Sequence, residues 1–171
     1  IGDWSSDVCS SDLYIKNHHS TRLTDAEPGT YRYVDFFEKE CAKYDRVFYV
    51  MGNHEHYHGR FDKTYEELKS RLSANITMLE KDIVEHNGVV FMGATLWTNC
   101  NNGDGLTMFH LKSGMNDYRV VQNHYKDKKL YHKLTPEYTY SEHIKTMQWL
   151  RLMLGEHRSK PVVVITHHAP S

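Results

Sequence analysis

The sequence predicts an α/β fold with a mixed sheet, and two features of the chain indicate it. Short apolar runs typical of buried strands, at Val47–Met51 and Val162–Thr166, alternate with segments whose apolar residues recur at helical spacing. A hairpin pattern between them adds antiparallel pairing to an order of elements that otherwise favours parallel strands.

The first strand lies between two predicted helices. The first helix is predicted at Tyr31–Lys43, where the residues at helical spacing are Tyr33, Phe36, Phe37 and Cys41. The second is predicted at Phe61–Ala74, with an apolar face formed by Tyr65, Leu68 and Leu72. Each apolar stripe is wide enough to pack against a sheet.

The hairpin follows a short predicted strand at Ile76–Leu79. Its strands are Ile83–His86 and Val89–Met92, and Asn87-Gly88 joins them. Asn-Gly favours a type I′ turn because both central residues of that turn need positive φ. The sequence therefore predicts a tight antiparallel pair at this point.

The segment Asn99–Lys133 is long, polar and weakly periodic, so we predict a loop that is either functional or disordered. A helix follows, with Thr135 as its N-cap and Pro136 at its first position. Its predicted apolar side consists of Ile144, Met147, Leu150, Leu152 and Leu154.

The composition limits the possible partners. The chain has 171 residues, 25% of them charged, and a formal net charge of -1, so it has no electrostatic signature of nucleic-acid binding. No apolar run approaches the roughly 20 residues of a membrane span. Three cysteines without C-x-x-C spacing argue against a disulfide framework. We expect a cytoplasmic protein without a membrane segment, and nothing in the sequence indicates a partner protein.

The ends of the sequence look artificial. Ile1–Leu13 is rich in Ser and Asp, and Asp7–Leu13 matches what a common sequencing adapter would encode in one reading frame. We therefore predict that residues 1–13 are not part of the fold. At the other end the chain stops at Ser171, directly after a strand and its loop. We expect a domain over residues 14–171 that is cut at both ends.

Metal-capable side chains follow two of the predicted strands. The first strand is followed by Gly52-Asn53-His54-Glu55. An Asn oxygen is a suitable ligand for a divalent cation, and His54 can donate a proton to a leaving oxygen. Glu55 would orient His54 or cap a following turn. The alternative is an Asn-His turn in solvent.

The last strand is followed by His167-His168-Ala169-Pro170. His167 comes first and is the better ligand candidate, whereas His168 points the other way if the strand geometry continues and would then contact substrate. The alternative is a surface His pair. Because ligands collect at the carboxyl edge of α/β sheets, we expect both motifs to meet there.

Both motifs resemble those of the calcineurin-like metallophosphoesterases. That family carries D-x-H, G-D-x-x-[DN], G-N-H-[DE], a His after a strand, and G-H-x-H along an α/β sandwich. Gly52–Glu55 matches the third element and Thr166–Pro170 the fourth, while the others are absent in recognisable form. Gly93–Thr98 and Met115–Arg119 resemble stretches of one bacterial branch. The resemblance covers roughly residues 31–171.

The resemblance implies a mixed-sheet α/β sandwich and a centre of two divalent ions (Mn, Fe or Zn). It implies that Asn53 and His167 are metal ligands and that His54 assists the leaving group. The expected substrate is a phosphate monoester or diester, either a small molecule or a nucleotide. Since several ligands are missing, we expect the fragment itself to be inactive. The alternative is a non-catalytic binding or scaffold module on the same fold.

Further candidates lie in or beside the long polar segment: Trp97, Asn116, Asp117, Tyr118 and Arg119. Arg119 has the planar fork that holds a phosphate oxygen, and Asn116 and Asp117 would shape the pocket wall. The alternative is a loop closed by local turns, with Trp97 simply in the core.

Overall fold

The computed structural model of the chain describes residues 35–124 and 130–170. The predicted artefact at residues 1–13, and the part of the predicted first helix that contains Tyr33, lie outside the described residues. So do residues 125–129 of the long polar segment.

Strands in the described ranges form a parallel pair, a mixed sheet of three strands and one short hairpin. They are β1 (Val47–Tyr49), β2 (Ile76–Met78), β3 (Asp82–His86), β4 (Val89–Ala94), β5 (Gln122–Asn123), β6 (His132–Lys133) and β7 (Val162–Thr166). Strands β1 and β2 pair in parallel. Strand β4 pairs antiparallel with β3 and parallel with β7, so the second sheet is mixed.

The helices lie between these strands. They are α1 (Phe61–Lys69), α2 (Gly105–Gly114), α3 (Asp117–Val120) and α4 (Pro136–Glu156), and a four-residue helical turn at Cys100–Gly103 precedes α2. A π-helical turn at Asp35–Glu40 and a 3-10 turn at Cys41–Lys43 precede β1, and another 3-10 turn covers His54–His56. None of the described helices is long and apolar enough to cross a membrane.

The two larger sheets pack face to face. The ring of Phe48 on β1 stacks on that of Phe91 on β4, with their centroids 4.3 Å apart. Gly93 on β4 approaches the other sheet so closely that a Cβ there would lie 2.4 Å from the Cβ of Leu79. This packing confirms the predicted α/β architecture with parallel and antiparallel strands.

A buried apolar cluster covers the outer side of β1 and β2. Its members are Phe37, Cys41, Tyr49, Met51, Leu68, Ile76 and Met78, with Tyr65 and Leu72 packed at its edge. The predicted apolar face of the second helix is therefore confirmed, although α1 ends at Lys69. The aromatic ring of Phe37 meets Tyr49 edge-on at 4.9 Å.

Local signals in the sequence fixed the hairpin turn and one helix start. Asn87 and Gly88 have φ of 50° and 77°, as a type I′ turn requires. The side chain of Thr135 accepts a hydrogen bond from the amide of Tyr138, and Pro136 opens α4. Both predictions are confirmed.

Two predictions about the second half were wrong. Asn99–Lys133 is not a loop: it holds α2, α3 and the short hairpin β5–β6. Leu150 is buried as predicted, but Ile144, Leu152 and Leu154 are exposed, and the buried side of α4 also includes Thr139, Glu142 and Thr146. Polar side chains are accommodated on this face where they have partners, as in the ion pair of Glu142 with Lys81.

Candidate functional site

The carboxyl ends of four strands meet around Thr95, directly after β4. Its hydroxyl lies 3.0 Å from the carbonyl of Met51, after β1, and 2.7 Å from the carboxylate of Glu80, after β2. The carbonyl of Thr95 accepts a hydrogen bond from the amide of His168, after β7. Thr95 is fully buried and so fixes the relative positions of the two motifs. The sequence argument did not single it out, although its place after a central strand was a usable signal.

Gly52 lets the second motif lie against the first. A Cβ on Gly52 would lie 2.6 Å from Cε1 of His167, so the imidazole occupies the space that any side chain would need. Gly52 is not among the described residues with positive φ. Its role is therefore close approach to a ring from another strand, and not the sharp turn that glycine usually allows.

Asn53 and His167 form the central contact of the site. Oδ1 of Asn53 lies 3.1 Å from Nε2 of His167, across 114 positions of sequence. Both side chains are half-buried. Burial lowers the pKa of His167, and the neighbouring imidazoles of His168 and His54 lower it further, against an opposing effect of Asp117. A neutral imidazole is the form that binds a metal ion.

Asp117 lies directly behind Asn53. One of its carboxylate oxygens accepts a hydrogen bond from Nδ2 of Asn53 at 2.8 Å, and the other accepts one from the hydroxyl of Tyr57 at 3.0 Å. Only 1% of the surface of Asp117 is exposed. The carboxylate therefore contacts the candidate ligand Asn53 from the protein side.

His54 rests on an aromatic platform. Its ring lies 4.3 Å from that of Tyr57, at 44°. Burial raises the pKa of Tyr57 well above its ordinary value, and the negative charge of Asp117 adds to the effect. Tyr57 thus remains a hydrogen-bond donor to Asp117 while its face supports His54. The sequence argument missed Tyr57, which carries no local signal of this role.

Glu55 supports the turn that delivers Asn53 and His54. Its carboxylate accepts hydrogen bonds from the hydroxyl of Tyr49 at 2.6 Å and from the amide of Gly52 at 2.8 Å. Burial raises the pKa of Glu55, while these two hydrogen bonds and the charge of His54 act to lower it. The side chain reaches back to the preceding residues instead of capping a following turn.

His168 turns away from Asn53, as strand alternation predicted. Its Nδ1 lies 3.2 Å from the carbonyl of Thr95, and its ring lies 5.2 Å from that of Trp97. Burial lowers the pKa of His168. Trp97 is buried and also lies 6.1 Å from the ring of His56. These contacts place Trp97 beside the site, within the packing that holds His168.

Asn116 and Arg119 lie at the surface. The guanidinium of Arg119 donates a hydrogen bond to the carbonyl of Ser113 within its own segment. The carbonyl of Asn116 accepts from the amides of Arg119 and Val120, and its side chain is exposed. The contacts described for these two residues therefore do not join them to Asn53 or His167, and substrate binding by them remains a prediction.

The amide oxygen of Asn53 and the imidazole of His167 are atoms of the type that binds a metal ion, but two ligands are too few to hold one. Two ligand atoms about 2.1 Å from one ion and at a right angle lie about 3 Å apart, close to the separation of Asn53 Oδ1 and His167 Nε2. Within residues 35–124 and 130–170, no group of three or more His, Cys, Asp or Glu is placed to bind a metal. Any further ligands would have to come from outside these residues.

Comparison with known proteins assigns the chain to a family. The model of the calcineurin-like phosphoesterases matches residues 7–171. The chain belongs to the calcineurin-like phosphoesterase family. This match confirms the resemblance deduced from the two strand-end motifs. It begins within the predicted artefact at residues 1–13, whose origin stays a prediction, as does the bacterial branch.

One curated relative of this calcineurin-like phosphoesterase chain comes from a virus. It is the "Uncharacterized protein L509" of Acanthamoeba polyphaga mimivirus, which is 30% identical over 144 residues, or 79% of this chain and 49% of the relative. The chain thus spans about half the length of that relative. No solved structure matches the chain.

Proposed function

We propose that this chain forms part of a metal-dependent phosphoesterase that hydrolyses a phosphate monoester or diester. The proposal rests on the contact between Asn53 and His167, two neutral side chains that can bind a metal ion and that follow different strands, with His54 beside them. Membership of the calcineurin-like phosphoesterase family supports it, because that family acts on phosphate esters.

The roles follow from the chemistry of each side chain. Asn53 and His167 would be two of the ligands of one divalent ion, through an amide oxygen and a neutral imidazole nitrogen, with the remaining ligands supplied from outside the described residues. When bound, a pair of Mn, Fe or Zn ions supplies positive charge for phosphoryl oxygens and lowers the pKa of water. His54 would donate a proton to the leaving oxygen, a contribution of roughly 10²–10⁴-fold in rate. His168 is a weaker candidate for proton donation, because its ring packs on Trp97.

The substrate class is a phosphate ester on a small molecule or nucleotide. Nothing among the described side chains distinguishes a monoester from a diester, since both present the same phosphoryl oxygens to the metal ions and the same leaving oxygen to His54. The near-neutral charge of the chain favours neither nucleic acid nor a membrane surface as partner.

A non-catalytic binding or scaffold module is the second candidate. The observation that favours it is the short donor set, because catalytic metal sites take three or more protein ligands and the described residues offer Asn53 and His167. A fold can persist after its activity is lost. An enzyme requires the missing metal ligands elsewhere in the reading frame, whereas a scaffold module would have other residues at those positions.

The test begins with the longest uninterrupted reading frame at the source locus that contains these 171 residues. We expect it to encode the further elements D-x-H, G-D and G-H-x-H. The encoded protein should then hydrolyse p-nitrophenyl phosphate or bis(p-nitrophenyl) phosphate with Mn²⁺ and lose this activity in EDTA. His54→Gln should lower kcat by roughly 10²–10⁴-fold, with the Mn²⁺ dissociation constant nearly unchanged.

Two results would overturn the proposal. One is a reading frame in which those ligands are replaced, with neither ester hydrolysed at saturating Mn²⁺; the scaffold module would then be the better description. The other is hydrolysis that EDTA and His54→Gln both leave unchanged, which would locate the activity away from this site.

A further inference from the structure

The amide of Asn53 has two ends that differ in chemistry, and the site needs a particular one to face His167. Its oxygen can bind a cation, whereas its NH₂ group repels one. The two orientations have nearly the same shape, so packing alone does not choose between them. A neighbouring group with a fixed hydrogen-bonding character has to decide.

Asp117 is such a group. A carboxylate accepts hydrogen bonds and donates none, so the end of the Asn53 amide that faces Asp117 at 2.8 Å is Nδ2. The oxygen of Asn53 then faces His167 at 3.1 Å. Since that oxygen can only accept, Nε2 of His167 must carry the proton in the metal-free chain.

We propose that Asp117 is a positioning residue that fixes the amide of Asn53 with its oxygen towards His167. Groups behind metal ligands commonly set ligand orientation, and their loss costs roughly 10–100-fold in metal affinity. The part of this inference that concerns metal affinity rests on the proposed function. The part that concerns the amide orientation stands on the hydrogen bonds alone.

The same carboxylate also restrains His54. Its second oxygen accepts the hydroxyl of Tyr57, whose ring supports the imidazole of His54 at 4.3 Å. Asp117 lies 64 positions from Asn53 and 60 from Tyr57, on the helix α3. One buried residue from the segment predicted as a loop thereby supports both side chains of the first motif.

The test exchanges hydrogen-bonding character without changing size. In Asp117→Asn the new amide can keep its oxygen on Tyr57, and its NH₂ group then faces Asn53. We expect the Asn53 amide to rotate by half a turn and present NH₂ to Nε2 of His167. The proton of His167 should move from Nε2 to Nδ1, which long-range ¹⁵N–¹H NMR of the metal-free 171-residue chain reads directly at about pH 8, above the ordinary pKa of imidazole.

The double variant Asn53→Asp with Asp117→Asn should reverse this change. Residue 117 then donates to the carboxylate at residue 53, whose other oxygen faces His167 again. We expect the proton of His167 to return to Nε2. In Mn²⁺ titrations of the protein encoded by the whole reading frame, Asp117→Asn should weaken binding roughly 10–100-fold, and the double variant should recover affinity to at least the level of the unmodified protein.

Asp45→Asn is the matched control, because it makes the same chemical change at an exposed position. An unchanged His167 tautomer in folded Asp117→Asn would overturn the inference, and so would a double variant that fails to restore it. If Asp117→Asn unfolds, Asp117→Ala takes its place: it frees the Asn53 amide, so the His167 proton should distribute over Nε2 and Nδ1, and a proton that stays on Nε2 alone would overturn the inference. If the protein encoded by the whole reading frame binds no Mn²⁺ while the 171-residue chain shows both tautomer shifts, the proposed function is contradicted and the positioning role stands.

Discussion

The two strand-end segments of the site are held in very different ways. The first, Met51–Tyr57, includes several buried side chains, and hydrogen bonds to Tyr49, Thr95 and Asp117 hold it in place. The second, His167–Pro170, follows β7, which pairs with β4 on one side and has Val163 and Val164 each 42% exposed.

This difference indicates which half of the site positions the other. The first segment has its own core and retains its geometry through contacts that do not involve β7. The second reaches the site by lying on Gly52 and facing Asn53, which both follow β1, and by bonding to Thr95, which follows the neighbouring strand β4. We infer that the first segment is the preorganised half, and that His167 takes its position from it.

The largest contrast is expected between Met51→Ala and Val164→Ala. Met51 is 3% exposed in the core beneath the first segment, and its truncation should cost about 2–5 kcal/mol of unfolding free energy. Val164 is half-exposed on β7, so its truncation should cost less than about 1 kcal/mol. Urea unfolding measures both. Equal losses would contradict the exposure of Val164 on β7.

Gly52→Ala tests the contact between the two segments. The new Cβ would overlap the ring of His167, so we expect His167 to move away from Asn53 and the unfolding free energy to fall by about 1–3 kcal/mol. The measurement combines urea unfolding with the NMR signals of His167.

Gly114→Ala is the control for that change. Gly114 closes α2, and a Cβ there would meet nothing within 4 Å. Alanine should therefore leave the His167 signals unchanged and keep or slightly raise stability, since it is the better helix former. If Gly52→Ala behaved in the same way, the two segments would not be in the contact that the structure shows.

His56→Phe tests the first segment through its pH dependence. Burial lowers the pKa of His56 to about 3 from its ordinary value, and its Nδ1 is buried without a hydrogen-bond partner. The unfolded chain therefore binds more protons than the folded one between that value and about 6.5, and stability falls as the pH falls through this window. Between pH 7 and pH 5 the loss amounts to about 2 kcal/mol.

Phenylalanine at residue 56 removes this contribution and keeps the stacking on Phe61, whose centroid lies 4.5 Å away. The unfolding free energy of the unmodified protein should therefore rise relative to that of His56→Phe as the pH increases from 5 to 7. A constant difference between the two proteins does not affect this comparison. Parallel pH profiles would contradict burial of a neutral imidazole at residue 56.

Much of the fold could be predicted because its signals are local. The apolar runs of β1 and β7, the Asn87-Gly88 turn and the Thr135 cap each depend on residues within one element. The prediction failed where a local pattern was ambiguous. Polar composition suggested a loop at Asn99–Lys133, yet the segment forms helices whose few apolar residues, such as Leu111 and Tyr118, belong to one cluster with Trp97.

The candidate site was predictable in its position and in part of its membership. The rule that strand ends share one edge predicts that Asn53 and His167 meet, and they do. It does not predict the partners that fix them. Tyr57 has no motif, Thr95 looks like the end of an apolar run, and the hydrogen bonds of Asp117 depend on how α3 packs against the first motif.

By itself the sequence determined the α/β class, the two strand-end motifs and the family to which they point. Only the tertiary structure decided which end of the Asn53 amide faces His167 and why residue 52 is glycine. The physical reason is distance along the chain. Periodicity and turn chemistry act over a few residues, whereas these contacts join positions 64 and 114 apart and exist only once both sheets have packed.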